Sequence, residues 1–341
     1  MPEHHTSPPT APPTLLLSHL LAILALQSAP GPFVREVAAM GTTLRLEIEA
    51  PHAEAVRASE EALAAIEAWE PVLSTWRPEA ELASANRAPV GVCAPISPRL
   101  AEALGEAGEW VGRTGGAFDP GVGALVDAWD LRGAGRRPDA TALEAARAAT
   151  GWRRFELGPG PCLRRLAPGA WLDSGGFGKG LALRAALAAL RVRGLDALVD
   201  FGGQVAVAGT PRAIVVAHPA DRQRPAATIS GVRGSAATSS QSERRVVVDG
   251  TAIGHLLDPR TGHPVPAWGS VTAVADDPFA ADVLSTALFV LGADAALVWA
   301  ARHPEVGVLV LEGGARPRAR WSASLDGRVV LHDPFTQPGV H

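Results

Sequence analysis

The spacing of apolar and polar positions changes several times along the chain, and each change marks an element. Thr43-Leu44-Arg45-Leu46-Glu47-Ile48-Glu49 alternates residue by residue, as a strand with one wet face does. From Ala53 to Leu73 the period becomes helical. Ala55, Ala58, Ala62, Leu63, Ile66 and Trp69 share one face, acidic residues take the other, and Pro71 marks the end. Further helices are predicted over Pro98 to Val111, from about Gly180 to Val192, and over Pro278 to Leu291 and Ala293 to Arg302. Short β-rich segments fill the intervals at 170–173, 197–201, 205–208, 213–217, 226–230, 245–248, 270–275 and 306–311. Strands outnumber helices and come in hairpin-like clusters, which predicts an α+β fold with largely antiparallel sheet. No internal repeat or long polar linker divides the chain, so one catalytic domain is expected over 32–335, with a leader at 1–31 and a tail at 336–341.

The leader has its own pattern. Residues 1–13 are rich in Pro, His and Thr and are expected to be disordered. Leu15 to Leu26 is an apolar run too short to span a bilayer as a mature helix, but of a length that suits a secretory core. Ser28-Ala29 supply small residues for cleavage. No Lys or Arg precedes the run and no Cys follows it, so the usual basic flank is missing and a lipoprotein anchor is excluded. The expectation is an exported, periplasmic or envelope-facing protein, whose membrane association could come only through this segment; the alternative is a docking helix of a cytoplasmic one.

Composition narrows the classes. An apolar content of 47% excludes a disordered chain, and 36 Gly with 29 Pro fall short of low complexity. Formal charge is −4, which argues against a nucleic-acid binder by bulk electrostatics. Lys179 is the only lysine, every other basic residue being arginine. Cys93 and Cys162 allow at most one disulfide and no cysteine-only metal site, and leave the redox compartment open.

Four segments could carry chemistry. Asp173-Ser174-Gly175-Gly176-Phe177-Gly178-Lys179-Gly180 lies between a predicted strand and a helix, where backbone N–H groups and the helix dipole favour an anion. It lacks the Ser or Thr that a Walker loop needs after its lysine, and it lacks dinucleotide spacing. By itself it is a phosphate site or a glycine-rich turn. Asp282 and Thr286 are four apart, so they share a helix face, a hard-oxygen pair suited to Mg²⁺ or else an N-terminal cap or a solvated acid near a helix start. His255 precedes the turn Asp258-Pro259-Arg260-Thr261-Gly262, as a general base or as a structural histidine. The Gly116-Ala117-Phe118-Asp119-Pro120 loop, with Ser74-Thr75-Trp76 upstream, offers backbone donors and an aromatic plane for a heteroaromatic ligand, although Trp76 is as easily core.

The order of these segments is more specific than any one of them. Met40-Gly41-Thr42, Ser74-Thr75-Trp76, Phe118-Asp119-Pro120, Asp173 to Gly180, Gly202-Gly203, Ala237-Thr238-Ser239, His255 to Gly262 and Asp282…Thr286 together resemble the FAD:protein FMN transferase (ApbE-like) family over about Val37 to Leu291. The resemblance implies a T-fold-like α+β domain in which Mg²⁺ sits beside the pyrophosphate of bound FAD. It implies metal ligation by the Gly176 carbonyl and the Asp282 and Thr286 side chains. FAD contacts are implied for Met40, Trp76, Ala117, Phe118, Asp119, Asp173, Lys179 and Leu257, and the role of base on the acceptor hydroxyl for His255. The reaction so implied splits FAD, releases AMP and links FMN through a phosphoester to a Thr or Ser of an acceptor, expected to be a flavin-carrying subunit of a membrane redox complex. Ser174, Phe177, Gly178, Gly121, Ser240 and Gln204 depart from the family's usual residues, yet every implied ligand stays in place. The alternatives are hydrolysis of FAD to FMN and AMP on the same scaffold, and a flavin-binding protein without turnover.

Overall fold

The computed structural model describes residues 31–242, 245–332 and 335–337; the apolar run at 15–26, the small residues after it and most of the tail lie outside them. Contacts divide the chain into units Met1–Pro32 and Phe33–His341, and every element named below belongs to the second. Strands β1 (Phe33–Ala39) and β2 (Thr42–Glu49) lead into helices α1 (His52–Glu67), α2 (Glu70–Leu73) and α3 (Glu81–Arg87). Next come β3 (Cys93–Pro95), α4 (Pro98–Arg113), α5 (Gly123–Ala128), α6 (Ala140–Ala149), β4 (Phe155–Leu157) and β5 (Cys162–Arg165). Helix α7 (Gly178–Val192) precedes β6 (Asp196–Phe201), β7 (Gln204–His218), β8 (Asp221–Ser240), β9 (Arg245–Val248), β10 (Thr251–Gly254) and β11 (Gly269–Ala275). Helices α8 (Pro278–Leu291) and α9 (Ala293–Ala301) and strands β12 (Gly307–Glu312), β13 (Arg318–Trp321) and β14 (Val329–Leu331) complete the chain.

Among the described residues, nine strands form the main sheet in the order β1-β2-β6-β7-β8-β11-β12-β13, with β14 also on β8, and every pairing is antiparallel. The expected α+β architecture is therefore the observed one. The alternation in β2 sends Leu44, Leu46 and Ile48 to a fully buried face, on which α1, α7 and α8 lie. Helix α1 buries Ala55, Ala58 and Ala62 against α7, small side chains that let the two backbones come close. The outer half of the β7–β8 hairpin, with β14, closes a second core around Ile214, Val216, Ile229 and Leu311.

Three local expectations change. The helix predicted from Ala53 to Leu73 is two helices, because Pro71 occupies the first turn of α2, where its missing N–H costs nothing, and so opens a helix where it was expected to end one. The segments at 205–208 and 213–217 are one strand, bent at Gly209 (φ +75°), where Asp196 accepts from the Thr210 N–H at 2.7 Å. Residues 170–173 form no strand. The side-chain amide of Asn86 takes a strand's place, donating to the Leu172 carbonyl and accepting from its N–H, both at 2.9 Å.

Cys93 and Cys162 join β3 to β5 in a disulfide with Cα atoms 5.5 Å apart. It spans a sequence separation of 69 residues, and for a loop of that size chain entropy assigns about 4 kcal/mol. Replacing both cysteines by serine is expected to lower the calorimetric Tm by on the order of 10 °C. An unchanged Tm would show that the three-stranded β3-β5-β4 sheet holds without it.

Candidate active site

Two hairpin turns meet at one end of the sheet. The Met40-Gly41 and Gly202-Gly203 loops are two residues long and have positive φ throughout (45° and 77°, 57° and 93°), which matches the twist of the flanking strands. Met40 accepts a conformation that non-glycine residues rarely adopt. Gly202 lies so close to Thr42 that no side chain fits there. The Thr238 N–H donates to the Gly203 carbonyl at 3.0 Å, and Lys179 Nζ donates to the Gly202 carbonyl at 3.1 Å. The lone lysine thus ties the first turn of α7 to the sheet. On the helix-free side of this turn a cavity of about 770 Å³ opens, lined by Thr42, Arg45, Asp200, Gly202 and Thr238 among others.

The loop before α7 is built from within. Ser174 accepts from the Phe177 and Gly178 N–H groups through its carbonyl, and its hydroxyl donates to the Leu73 carbonyl at 2.8 Å. Asp173 Oδ1 accepts from the Gly175 N–H at 2.6 Å. A side chain at Gly178 would meet only ordinary contacts. No residue of the loop caps α7 with its own side chain. The cap comes from across the core: Asp282 Oδ2 accepts from the Gly180 N–H at 2.8 Å. Asp282 is 4% exposed, and the N-terminus of its own helix is capped by Asp277. Its neighbour one turn on, Thr286, has its hydroxyl 3.6 Å from where a Cβ on Gly176 would stand. Gly176, Asp282 and Thr286 therefore come to one place, with the positive end of the α7 dipole facing it.

Close approach of α7 to α8 requires Gly180. An added Cβ would lie 2.7 Å from Phe279 Cα and from the Pro278 carbonyl, and 2.9 Å from Asp282 Cβ. Gly180→Ala is expected to destabilise the protein by about 1–3 kcal/mol and to push Asp282 out of register. A urea midpoint checks the first and a crystal structure of the variant checks the second. Gln204 reinforces the same junction, its buried amide donating to the Pro278 carbonyl at 2.7 Å.

The 117–119 loop docks onto the glycine turn. Phe118 packs edge-on to Phe177, and the Asp173 N–H donates to the Pro120 carbonyl at 2.8 Å. Ala117 and Phe118 are almost fully buried. Burial pushes the Asp119 carboxyl above the ordinary range, while N–H bonds from Trp152 and Gly121 pull it back. Both of its oxygens hold this loop together. Trp76, by contrast, is 63% exposed.

His255 follows β10 and precedes a turn in which Asp258 accepts from the backbone and guanidinium of Arg260. Burial raises the Asp258 carboxyl, but the Arg260 bonds outweigh it and leave it below the usual range. Leu257 is buried and bridges to Pro264. Trp129 Nε1 donates to the Gly262 carbonyl at 2.9 Å, which joins this turn to α5. Gln241, which the motifs did not single out, fixes the histidine's segment. It accepts from the Leu256 N–H at 3.0 Å and donates to the Leu256 and Val265 carbonyls. Its only sequence signal is its place just after Thr238-Ser239-Ser240.

Among the described residues, no group of three or more His, Cys, Asp or Glu is placed to hold a metal. A single carboxylate with a hydroxyl and a carbonyl nevertheless suits Mg²⁺, a hard cation that keeps positions for water and phosphate oxygens.

The model of the ApbE family matches residues 40–310, a span that takes in every one of these segments. The chain belongs to the ApbE family. It is 32% identical over 324 residues to the FAD:protein FMN transferase of Treponema pallidum, covering 86% of this chain and 88% of that one. The corresponding transferase of Klebsiella pneumoniae is 30% identical over 275 residues, with 75% and 78% covered. Among solved structures, the ApbE protein of Thermotoga maritima superposes with a TM-score of 0.80 at 27% identity, over 87% of this chain and 99% of that one. The flavin transferase ApbE of Vibrio cholerae gives 0.75 at 26%, over 87% and 98%. The ApbE match thus covers the sheet end, the glycine turn and α8 together.

Proposed function

We infer that the protein is an FAD:protein FMN transferase, with Mg²⁺ held by the Gly176 carbonyl, the Asp282 carboxylate and the Thr286 hydroxyl. The observation that carries the metal assignment is the buried carboxylate of Asp282 at the Gly180 N–H, with Thr286 against Gly176. When bound, Mg²⁺ there neutralises charge on pyrophosphate oxygens. The first turn of α7 adds its dipole, and Lys179 stands on that turn. The backbone of Ala117, Phe118 and Leu257, with Met40, Asp119, Asp173 and Trp76, surrounds the flavin nucleotide. His255 takes the proton of the acceptor hydroxyl as its oxygen bonds to the phosphorus of the FMN half; the anhydride bond breaks and AMP leaves with the bridging oxygen.

The acceptor is a Thr or Ser of a flavin-carrying subunit of a membrane redox complex, and the protein works on the periplasmic or envelope side. The Cys93–Cys162 disulfide supports that side, since disulfides persist in oxidising compartments. No helix of the described residues is long and apolar enough to cross a membrane. The test is incubation of the purified protein with FAD, Mg²⁺ and an acceptor, followed by the intact mass of the acceptor and chromatography of the nucleotides. Acceptor mass increased by one FMN, with AMP released in equal amount, is the expected result. FMN and AMP with an unmodified acceptor would mean hydrolysis, and FAD left intact would mean storage.

A further inference from the structure

Arg132 joins the exposed indole of Trp76 to the glycine turn, although no motif contains it. Its Nη2 donates to Asp173 Oδ2 and to Thr75 Oγ1, both at 2.6 Å, and its Nη1 donates to the Thr75 carbonyl at 3.0 Å. The guanidinium carbon lies 4.5 Å from the centroid of the Trp76 ring and 4.4 Å from that of Trp171, so one cation lies over both indoles. Trp171 is itself fixed: its Nε1 donates to Asp127 Oδ2 at 2.7 Å, and Gly123 lies so close to its ring that no side chain fits between them. Trp76 is thus backed by an anchored cation while most of its surface stays open. An exposed tryptophan is unremarkable by itself; one held flat by a mostly buried arginine is a fixed plate. The same guanidinium holds Asp173, whose other oxygen accepts from the Gly175 N–H, one residue before Gly176.

We propose that Arg132 is a positioning residue for FAD: it holds Trp76 as a stacking surface for one ring of the dinucleotide and, through Asp173, sets the glycine turn that meets the pyrophosphate. This rests on the function proposed above. Arginine is needed because only a flat, forked cation can lie against two indoles while giving parallel bonds to a carboxylate and a backbone carbonyl. Lysine could make one of these contacts but not all.

The test is a double-mutant cycle on FAD affinity, measured by titration calorimetry on the full chain as wild type, Trp76→Ala, Arg132→Gln and the double variant. Each single change is expected to weaken FAD binding about tenfold or more, and the double variant to be within about threefold of the weaker single, because the two act through one surface. Should Arg132→Gln fail to fold, Arg132→Lys takes its place in the same cycle. Multiplicative losses, or wild-type affinity in the arginine variant, overturn the proposal. A wild-type protein that binds no FAD overturns the functional reading, and this inference with it.

Discussion

Asp282→Ala is expected to abolish Mg²⁺-dependent release of AMP from FAD, a loss of at least about 10²–10³-fold, the cost of removing one main electrostatic contact to a charged transition state. The carboxylate has two tasks that must be separated. It is the acceptor for the Gly180 N–H at the otherwise uncapped start of α7, and it is the only charged donor of the proposed metal set. Losing the first leaves a buried N–H without a partner, which costs about 1–3 kcal/mol. Asp282→Asn separates the two tasks, because an amide oxygen still accepts from Gly180 but carries no charge. The asparagine variant should therefore melt near the wild-type temperature and yet release little AMP, with the deficit partly recovered at high Mg²⁺. Chromatographic quantification of AMP across a Mg²⁺ series reads this directly. Normal turnover by a folded Asp282→Ala protein would remove the carboxylate from the metal set.

The parts of this site that could be read from sequence are those that repeat locally. Strand β2 was legible because its alternation separates Leu44, Leu46 and Ile48 from Arg45 and Glu47, and α8 because its apolar residues cover all faces of a long segment. Strands β3, β4 and β5 are three or four residues long, too short to show a period, so their sheet and the cystine within it were not legible. Helix α6 carries one local signal, the N-cap Asp139 that accepts from the Ala142 N–H. The segment at 170–173 has the pattern of a strand. Its backbone is paired by the Asn86 side chain, the Gly123 N–H and the Pro120 carbonyl, none of which a local pattern reveals. Arg132 is invisible for the same reason: its partners Asp173 and Thr75 lie 41 and 57 positions off. Gly176, Asp282 and Thr286 differ in this respect, because their motifs keep three-dimensional neighbours in chain order. The chain alone could not show whether Asp282 caps its own helix. That required knowing that Asp277 already does so, and that α7 arrives with a bare N–H.

His255→Ala is expected to keep FAD affinity and to lose transfer by about 10²–10⁴-fold, the usual worth of a positioned base. The geometry favours separate effects. The proposed metal donors sit on α8 and the glycine turn, whereas His255 belongs to the segment after β10 that Gln241 pins by its bonds to Leu256. Gly254 lies so close to the Gln241 side chain that no Cβ fits between them. Calorimetry with FAD and the intact mass of the acceptor, run on the same preparation, give the two quantities. Release of AMP to water should fall less than transfer, because water can lose its proton to solvent whereas a protein hydroxyl held in the site cannot. If FAD affinity falls and transfer per bound FAD does not, His255 is a binding residue and another group must take the hydroxyl proton. Gln241→Ala provides the second arm. It leaves the imidazole in place but frees the backbone of Leu256 and Leu257, so it should lower transfer by a smaller factor and, unlike His255→Ala, also weaken FAD binding.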